Sequence, residues 1–340
     1  MEKITLEFIE KAKAFINAAE NIVIVSHKNP DGDALGSGLA MYHFLKSVNK
    51  NATLIVPNNL PAYLNWMPGI EGVVVYESNK ELGAELIKQA NLIIMVDFNH
   101  RSRLSEMGDK IIPHHVPKIM IDHHPYPEEI ADLIYSRVSS SSTAEMVYEF
   151  IDALFGKSII TKQAAECLFL GIMTDTGSFS YNCSLPFTFE VAANLLALGV
   201  NKDEITDKVY SNYSEYRLRL LGHAINSKLT VIPEFGSAYI SLTKSDLENY
   251  KHETGDTEGF VNYPLSIKGV VFTAIFIEKD NYTKCSFRSK GKFPANLVSM
   301  NHFGGGGHIN AAGGEFKGTI NEAIAKFGSV LPQYKKYLDE

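Results

Sequence analysis

The tightest constraint on the fold comes from near-continuous apolar runs of strand length that alternate with helical patterns through the first 180 residues. Residues 21–25, 52–56, 91–96 and 118–121 are such runs, rich in Val and Ile. A run without polar alternation predicts a strand covered on both faces, and such strands belong to parallel sheets sandwiched by helices. Between the runs, residues 34–48 carry Leu35, Leu39, Tyr42, Phe44 and Leu45 on a helical face, and residues 81–89 are also helical. The alternation is βαβ, so a doubly wound α/β domain is expected. Two further helices are expected at 142–154, where Ser142 and Glu145 have capping-box spacing, and at 161–173.

Residues 1–20 read as an amphipathic helix with Ile4, Phe8, Ala12 and Phe15 on one face, not as a signal peptide. Residues 186–225 read as helices without strands (187–198, 202–210 and 215–225), and we take them as a linker after a domain at 1–185. The pattern then changes to strands at 229–232, 237–242, 268–278 and 282–288 and a last helix at 321–334, which predicts a smaller α+β domain at 226–340. No stretch approaches the roughly 18 apolar residues of a membrane span. Cys167, Cys183 and Cys285 are too far apart for a CxxC pair and odd in number, which argues against a disulfide scaffold or a cysteine zinc site. A cytoplasmic location is expected.

Charge narrows the function. Residues 1–222 carry 27 acidic and 19 basic side chains, whereas residues 223–340 carry 12 and 13. A groove for long nucleic acid needs clustered cations to displace counterions, and neither half supplies them. The acidic half is better suited to holding metal cations.

The polar residues that could do so sit at strand ends. His27-Lys28-Asn29-Pro30-Asp31-Gly32-Asp33 follows the first strand and precedes its helix, the place where ligands collect in an open α/β sheet. Pro30 and Gly32 favour a tight turn, and the same residues would also serve as a capped loop with Asp33 as N-cap. The third run ends in Asp97 and the fourth runs into Asp122-His123-His124. Buried carboxylates are costly unless paired or metal-bound, so these strand ends point to convergence. Asp175, at the end of an apolar helix, adds a fourth contribution, with a plain C-terminal turn residue as its alternative. Carboxylates mixed with imidazoles suit Mn2+ or Mg2+ better than structural zinc. Six or more ligands exceed what one catalytic ion with open positions needs, so two ions sharing a carboxylate is the economical arrangement.

In their order, these motifs resemble those of the DHH phosphoesterase family. Gly304-Gly305-Gly306-Gly307-His308-Ile309-Asn310-Ala311-Ala312-Gly313 resembles the signature of the associated DHHA1 domain. The resemblance implies a DHH domain joined by a helical linker to a DHHA1 domain, and within the family it points to the stand-alone branch acting on short oligonucleotides and 3′-phosphoadenosine 5′-phosphate (pAp). It places one metal on His27, Asp31 and Asp97 and another on Asp33, Asp97, His123 and Asp175, with Asp97 bridging. Asp122 would orient an imidazole, and His124 and Arg103 would face the scissile phosphate. Two-metal activation of water is the implied chemistry, with Mn2+ first and Mg2+ second as cofactor. The segment Phe98-Asn99-His100-Arg101 departs from the small residues usual in that loop.

For substrate capture, Arg288 and Ser289 within Arg288-Ser289-Lys290-Gly291-Lys292, with Gly305, Gly306, Gly307 and His308, read as a phosphate and base clamp facing the metals across an interdomain cleft. A solvated hairpin end and a flexible turn are the plainer alternatives. Few cations on the second domain favour short single-stranded oligonucleotides and pAp over long duplexes. The alternatives are a cyclic dinucleotide such as c-di-AMP or its linear product pApA, and, in another class, a nucleotide-binding regulator without turnover. A homodimer is expected by analogy. His114-His115, Trp66, Tyr63, Met67 and the Tyr210–Tyr216 stretch read as surface or packing residues and receive no role.

Overall fold

The computed structural model describes residues 4–338, so Met1, Glu2 and Lys3 of the expected first helix and the last two residues of the expected second domain lie outside it. Contacts divide the chain into two compact units between Asn212 and Tyr213, inside the segment read as a linker.

In the first unit, strands β1 (Asn21–Val25), β2 (Asn51–Val56), β3 (Val74–Val75), β4 (Leu92–Val96), β5 (Lys118–Asp122) and β6 (Leu133–Ser136) form one sheet in the order β3-β2-β1-β4-β5-β6. Every neighbouring pair is parallel. β4 is buried along its whole length, as its unbroken apolar sequence requires. The order reverses between β1 and β4, and the crevice at such a switch point is where a doubly wound sheet binds ligands. The short edge strands β3 and β6 were not expected. Two residues, or four half-polar ones, carry too little periodicity to read.

Helices α1 (Leu6–Ala18), α2 (Gly32–Ser47), α3 (Lys80–Gln89), α4 (Gly108–Ile111), α5 (Thr143–Phe155), α6 (Lys162–Asp175), α7 (Pro186–Ala197) and α8 (Lys202–Tyr210) complete this unit. α2 packs most extensively on α6. Glycines set that approach. A Cβ on Gly36 would lie 2.6 Å from the Cys167 carbonyl oxygen, and one on Gly32 would lie 2.3 Å from Thr174 Oγ1. The Gly36 clash is with backbone, so no rotamer relieves it. Gly36→Ala is therefore expected to destabilise the unit by about 1–3 kcal/mol, read as a lower urea midpoint at unchanged m-value.

In the second unit, β7 (Leu229–Ile232), β8 (Ser237–Leu242), β9 (Phe272–Glu278), β10 (Thr283–Ser289), β11 (Gly306–His308) and β12 (Ala311–Phe316) form a mixed sheet ordered β11-β12-β10-β9-β8-β7, in which β8 and β9 alone pair in parallel. Helices α9 (Glu215–Ser227), α10 (Lys244–Asn249), α11 (Ala295–His302) and α12 (Ile320–Tyr334) accompany it. Its core is aromatic: Phe272, Phe276, Phe287, Phe293, Phe303 and Phe327 are all essentially buried. No helix among the described residues is long and apolar enough to cross a membrane.

Candidate metal centre

The loop after β1 carries His27, Asp31 and Asp33. Asn29 takes a left-handed conformation (φ 54°), and its backbone N–H and side-chain oxygen bond Asn58 after β2 at 2.6 Å each, which braces the loop. Asp31, not Asp33, caps α2: its Oδ1 accepts from the Asp33 and Ala34 N–H groups at 3.1 Å. Asp33 is thereby released from capping and lies buried in the first turn of α2.

β4 delivers Asp97, whose N–H still bonds Ile121 O at 3.1 Å while its backbone turns left-handed (φ 64°). Such a conformation costs a non-glycine residue of order 1 kcal/mol or more, and here it sits at the strand end where the crevice opens. β5 delivers Asp122, His123 and His124, and α6 ends on Asp175.

These side chains converge. His27 Nε2 lies 3.3 Å from Asp97 Oδ2 and 4.0 Å from Asp31 Oδ1. His123 Nε2 lies 3.8 Å from Asp33 Oδ2, 3.7 Å from Asp97 Oδ1 and 3.6 Å from Asp175 Oδ2. His27, Asp31 and Asp97 form one group of mutually close donor atoms and Asp33, His123 and Asp175 another.

Proton positions explain why such groups need a cation. His27 Nδ1 faces the Lys28 carbonyl oxygen at 2.8 Å, and His123 Nδ1 faces the Ser140 carbonyl oxygen at 3.4 Å. A carbonyl only accepts, so each Nδ1 carries the hydrogen. Burial, with the Arg103 guanidinium behind it, pushes His27 down to about 4, and burial lowers His123 as well. Both rings are therefore neutral near pH 7, and each turns an Nε2 lone pair toward carboxylate oxygens. The His123 Nε2 contacts, at 3.6–3.8 Å, are longer than hydrogen bonds.

The carboxylates tell the same story. Burial, then the charges of Asp97 and Asp31, holds Asp33 well above the usual carboxylate range, despite bonds from the Thr143 and Ala144 N–H groups at 2.7 and 2.9 Å. Burial, then Asp31, Asp122 and Asp175, does the same to Asp97, which accepts from Thr143 Oγ1 at 2.8 Å. Divalent cations among these oxygens and nitrogens would relieve both strains, and the mixed donor set matches Mn2+ or Mg2+.

Asp122 is fully buried. Its Oδ1 accepts from His124 Nδ1 at 2.7 Å and its Oδ2 from the His124 N–H at 3.1 Å, so it fixes that ring's orientation. Burial raises Asp122 to about 6, against the pull of His123, the His124 N–H and Arg103. Arg103 follows in the 3₁₀ segment Arg101–Met107, and its carbonyl accepts from the Lys28 N–H at 2.7 Å, tying the two loops. Its Nε is buried and has no hydrogen-bond partner among the described residues. The divergent segment 98–101 is locked locally: Phe98 is in the core, and Arg101 pairs with Glu128 at 2.5 Å.

Sequence reasoning missed Thr143 and Ser140. Both belong to the serine-rich stretch 139–143 that leads into α5, and that polar run ahead of an apolar helix was the available signal. Ser142 caps α5 by accepting from the Glu145 N–H at 3.1 Å, but Glu145 does not close the expected box; its side chain accepts from Ser141 and Thr188 hydroxyls at 2.7 and 2.5 Å.

In the second unit, Ala311 pairs with His308 on one side and with Arg288 on the other, so Arg288 and His308 share a sheet face two strand spacings apart. The Ser289 hydroxyl donates to Phe293 O at 2.6 Å and accepts from Asn310 at 2.8 Å. The glycine run is partly strand, not a free turn. A Cβ at Gly305 would lie 1.9 Å from Gly313 O, and one at Gly307 2.4 Å from Ala311 O, so strand packing already requires these two glycines.

Residues 21–172 match the DHH family, N-terminal domain, and residues 239–334 match the DHHA1 domain. The chain is 30% identical over 297 residues to a bifunctional oligoribonuclease and PAP phosphatase, NrnA, from Thermus thermophilus, covering 87% of this chain and 84% of that protein. It is 26% identical over 336 residues to the cyclic-di-AMP phosphodiesterase GdpP of Bacillus subtilis, covering 95% of this chain and 49% of that protein. A crystal structure of an exopolyphosphatase-related protein from Bacteroides fragilis superposes with a TM-score of 0.95 at 44% identity, covering all of both chains.

Proposed function

The chain belongs to the DHH family and carries its DHHA1 domain, which makes it a metal-dependent phosphoesterase, and from that premise we propose that it trims short single-stranded oligonucleotides to mononucleotides and converts pAp to AMP. The chemistry rests on one observation above all: the ring nitrogens of His27 and His123 and the carboxyl oxygens of Asp31, Asp33, Asp97 and Asp175 face a common centre at 3.3–4.0 Å from one another. The substrates rest on likeness to NrnA along most of both chains, and on a second domain with few cations to grip a polymer. A cytoplasmic location goes with such substrates.

In this reading His27, Asp31 and Asp97 hold one divalent ion and Asp33, Asp97, His123 and Asp175 a second, Mn2+ before Mg2+. The ions supply an activated water and charge neutralisation at the phosphoryl group. Lys28 and Ser140 carbonyls keep His27 and His123 in the ligating tautomer. Asp122 holds the proton on His124 Nδ1, so that the neutral ring offers its Nε2 lone pair to accept a proton from the attacking water. Arg103 directs its guanidinium at the phosphoryl oxygens, which would give its buried Nε an acceptor. Arg288 and His308, on one face of the second sheet, hold the substrate remote from the reacting phosphorus.

The assay is incubation with Mn2+ and pApA, pAp, c-di-AMP or pyrophosphate. The reading expects mononucleotide from pApA and phosphate from pAp. Turnover of c-di-AMP alone would favour the second reading, which likeness to GdpP over 95% of this chain supports. No turnover of any would leave a nucleotide-binding regulator. Arg288→Ala is expected to raise KM about tenfold or more with kcat little changed, because a charged contact away from the reacting atoms contributes roughly 1.5–3 kcal/mol of binding. A fall in kcat at constant KM would place Arg288 at the transition state instead.

A further inference from the structure

Arg137 lies on the turn between β6 and α5, in none of the motifs above, and is only 7% exposed. A buried guanidinium is costly unless its donors are matched. Here its Nη2 donates to Glu149 Oε2 at 2.5 Å and lies 3.9 Å from Glu145 Oε1, while its Nε donates to Ser140 Oγ at 2.7 Å. The Tyr135 hydroxyl donates to the same Glu149 oxygen at 2.8 Å. Both glutamates stand on α5 and Ser140 on the turn before it, so one side chain ties the turn to the first turns of the helix.

What hangs from that joint is one half of the cradle. The Ser140 carbonyl fixes the His123 tautomer, and the Thr143 and Ala144 N–H groups at the start of α5 grip both oxygens of Asp33. The Arg137 N–H also donates to the Asp122 carbonyl at 3.2 Å, next to His123 in the chain. The His27–Asp31 half is braced separately, by Lys28, Asn58 and the Arg103 carbonyl.

We infer that Arg137 is a positioning residue for the ion position formed by Asp33, His123 and Asp175, acting through Ser140 and the N-terminus of α5. The inference rests on the two-ion reading. It is tested by Mn2+ titration of the intact protein, followed by binding calorimetry and electron paramagnetic resonance. Wild-type protein is expected to take two ions with the spectrum of a coupled pair. Arg137→Met is expected to weaken one ion about 10- to 100-fold, the effect of losing an outer-shell partner, and to weaken the other much less, although Thr143 Oγ1 also bonds the shared Asp97. The six-line spectrum of an isolated Mn2+ then replaces the coupled one at limiting metal. Arg137→Lys, which keeps the charge but cannot span Glu149 and Ser140 together, should recover part of the loss.

Ser140→Ala removes the side-chain link while keeping the carbonyl, and should show the same selectivity at smaller size. It decides the matter if Arg137→Met does not fold. Wild-type affinity for both ions in Ser140→Ala and in folded Arg137→Met, or equal weakening of both ions, overturns the inference. Wild-type protein that binds fewer than two ions overturns the two-ion reading beneath it.

Discussion

Asp97→Asn is expected to lose both ions and with them essentially all hydrolysis. Asp97 alone contributes an oxygen to each half of the cradle, Oδ2 toward His27 and Oδ1 toward His123. The rate loss should exceed the roughly 10²- to 10³-fold that removal of one charge-stabilising donor costs, since both ions go together. Asn suits the left-handed backbone at this position better than Ala, so geometry is preserved. The change also removes a like charge that raises Asp33, so the metal-free fold should survive. Calorimetry with Mn2+ and steady-state kinetics on the best substrate read both effects. Activity retained with stoichiometric Mn2+ would contradict the bridging role.

The second large effect is on stability, and its sign follows from the carboxyls. Asp33 and Asp97 are raised well above their ordinary range, and Asp122 to about 6. A carboxyl with a higher pKa folded than unfolded contributes stability at low pH that is lost as pH rises through the folded value. The imidazoles act oppositely: burial, with Arg103, takes His27 down to about 4, and burial lowers His123 and His124, so their contribution is lost as pH falls below about 6.5. Above that pH the rings are neutral in both states and only the carboxylates remain.

Ions bind the ionised carboxylates and displace their protons. The gain in melting temperature from Mn2+ over a chelator should therefore widen as pH rises. With Mn2+ at 100 times each dissociation constant, two ions contribute about 2.7 kcal/mol apiece, or about 10 °C or more for a unit of this size. Thermal unfolding at several pH values checks it. An increment that shrinks with rising pH would mean that the cluster is not the binding site.

The sequence made one half of this picture plain because burial on both faces leaves a strand no polar alternation. β1, β4 and β5 are nearly unbroken apolar runs, so His27, Asp97 and Asp122 stood out as interruptions, and parallel topology alone implied that they share one edge. What stayed hidden depends on contacts between distant segments. Thr143 reaches Asp33 and Asp97 across 110 and 46 residues, and no local pattern encodes such a bond. Asp31 and Asp33 both fit an N-cap by type, and which of them capped α2 was settled by packing, with Gly32 and Gly36 letting α2 close on α6. The glycine run was read for its backbone freedom toward an anion, whereas Gly305 and Gly307 answer first to the neighbouring strand. Arg137 carries no local sequence signal, because the glutamates that pair with it lie 8 and 12 residues further along on α5.

The most direct test is anomalous diffraction at the manganese edge from crystals grown with Mn2+. The account expects two peaks roughly 3.5–4 Å apart, the spacing of paired catalytic ions, both bonded to Asp97, one also to His27 and Asp31 and the other to Asp33, His123 and Asp175. A single peak, or peaks bonded elsewhere with Asp97 turned away, would contradict it.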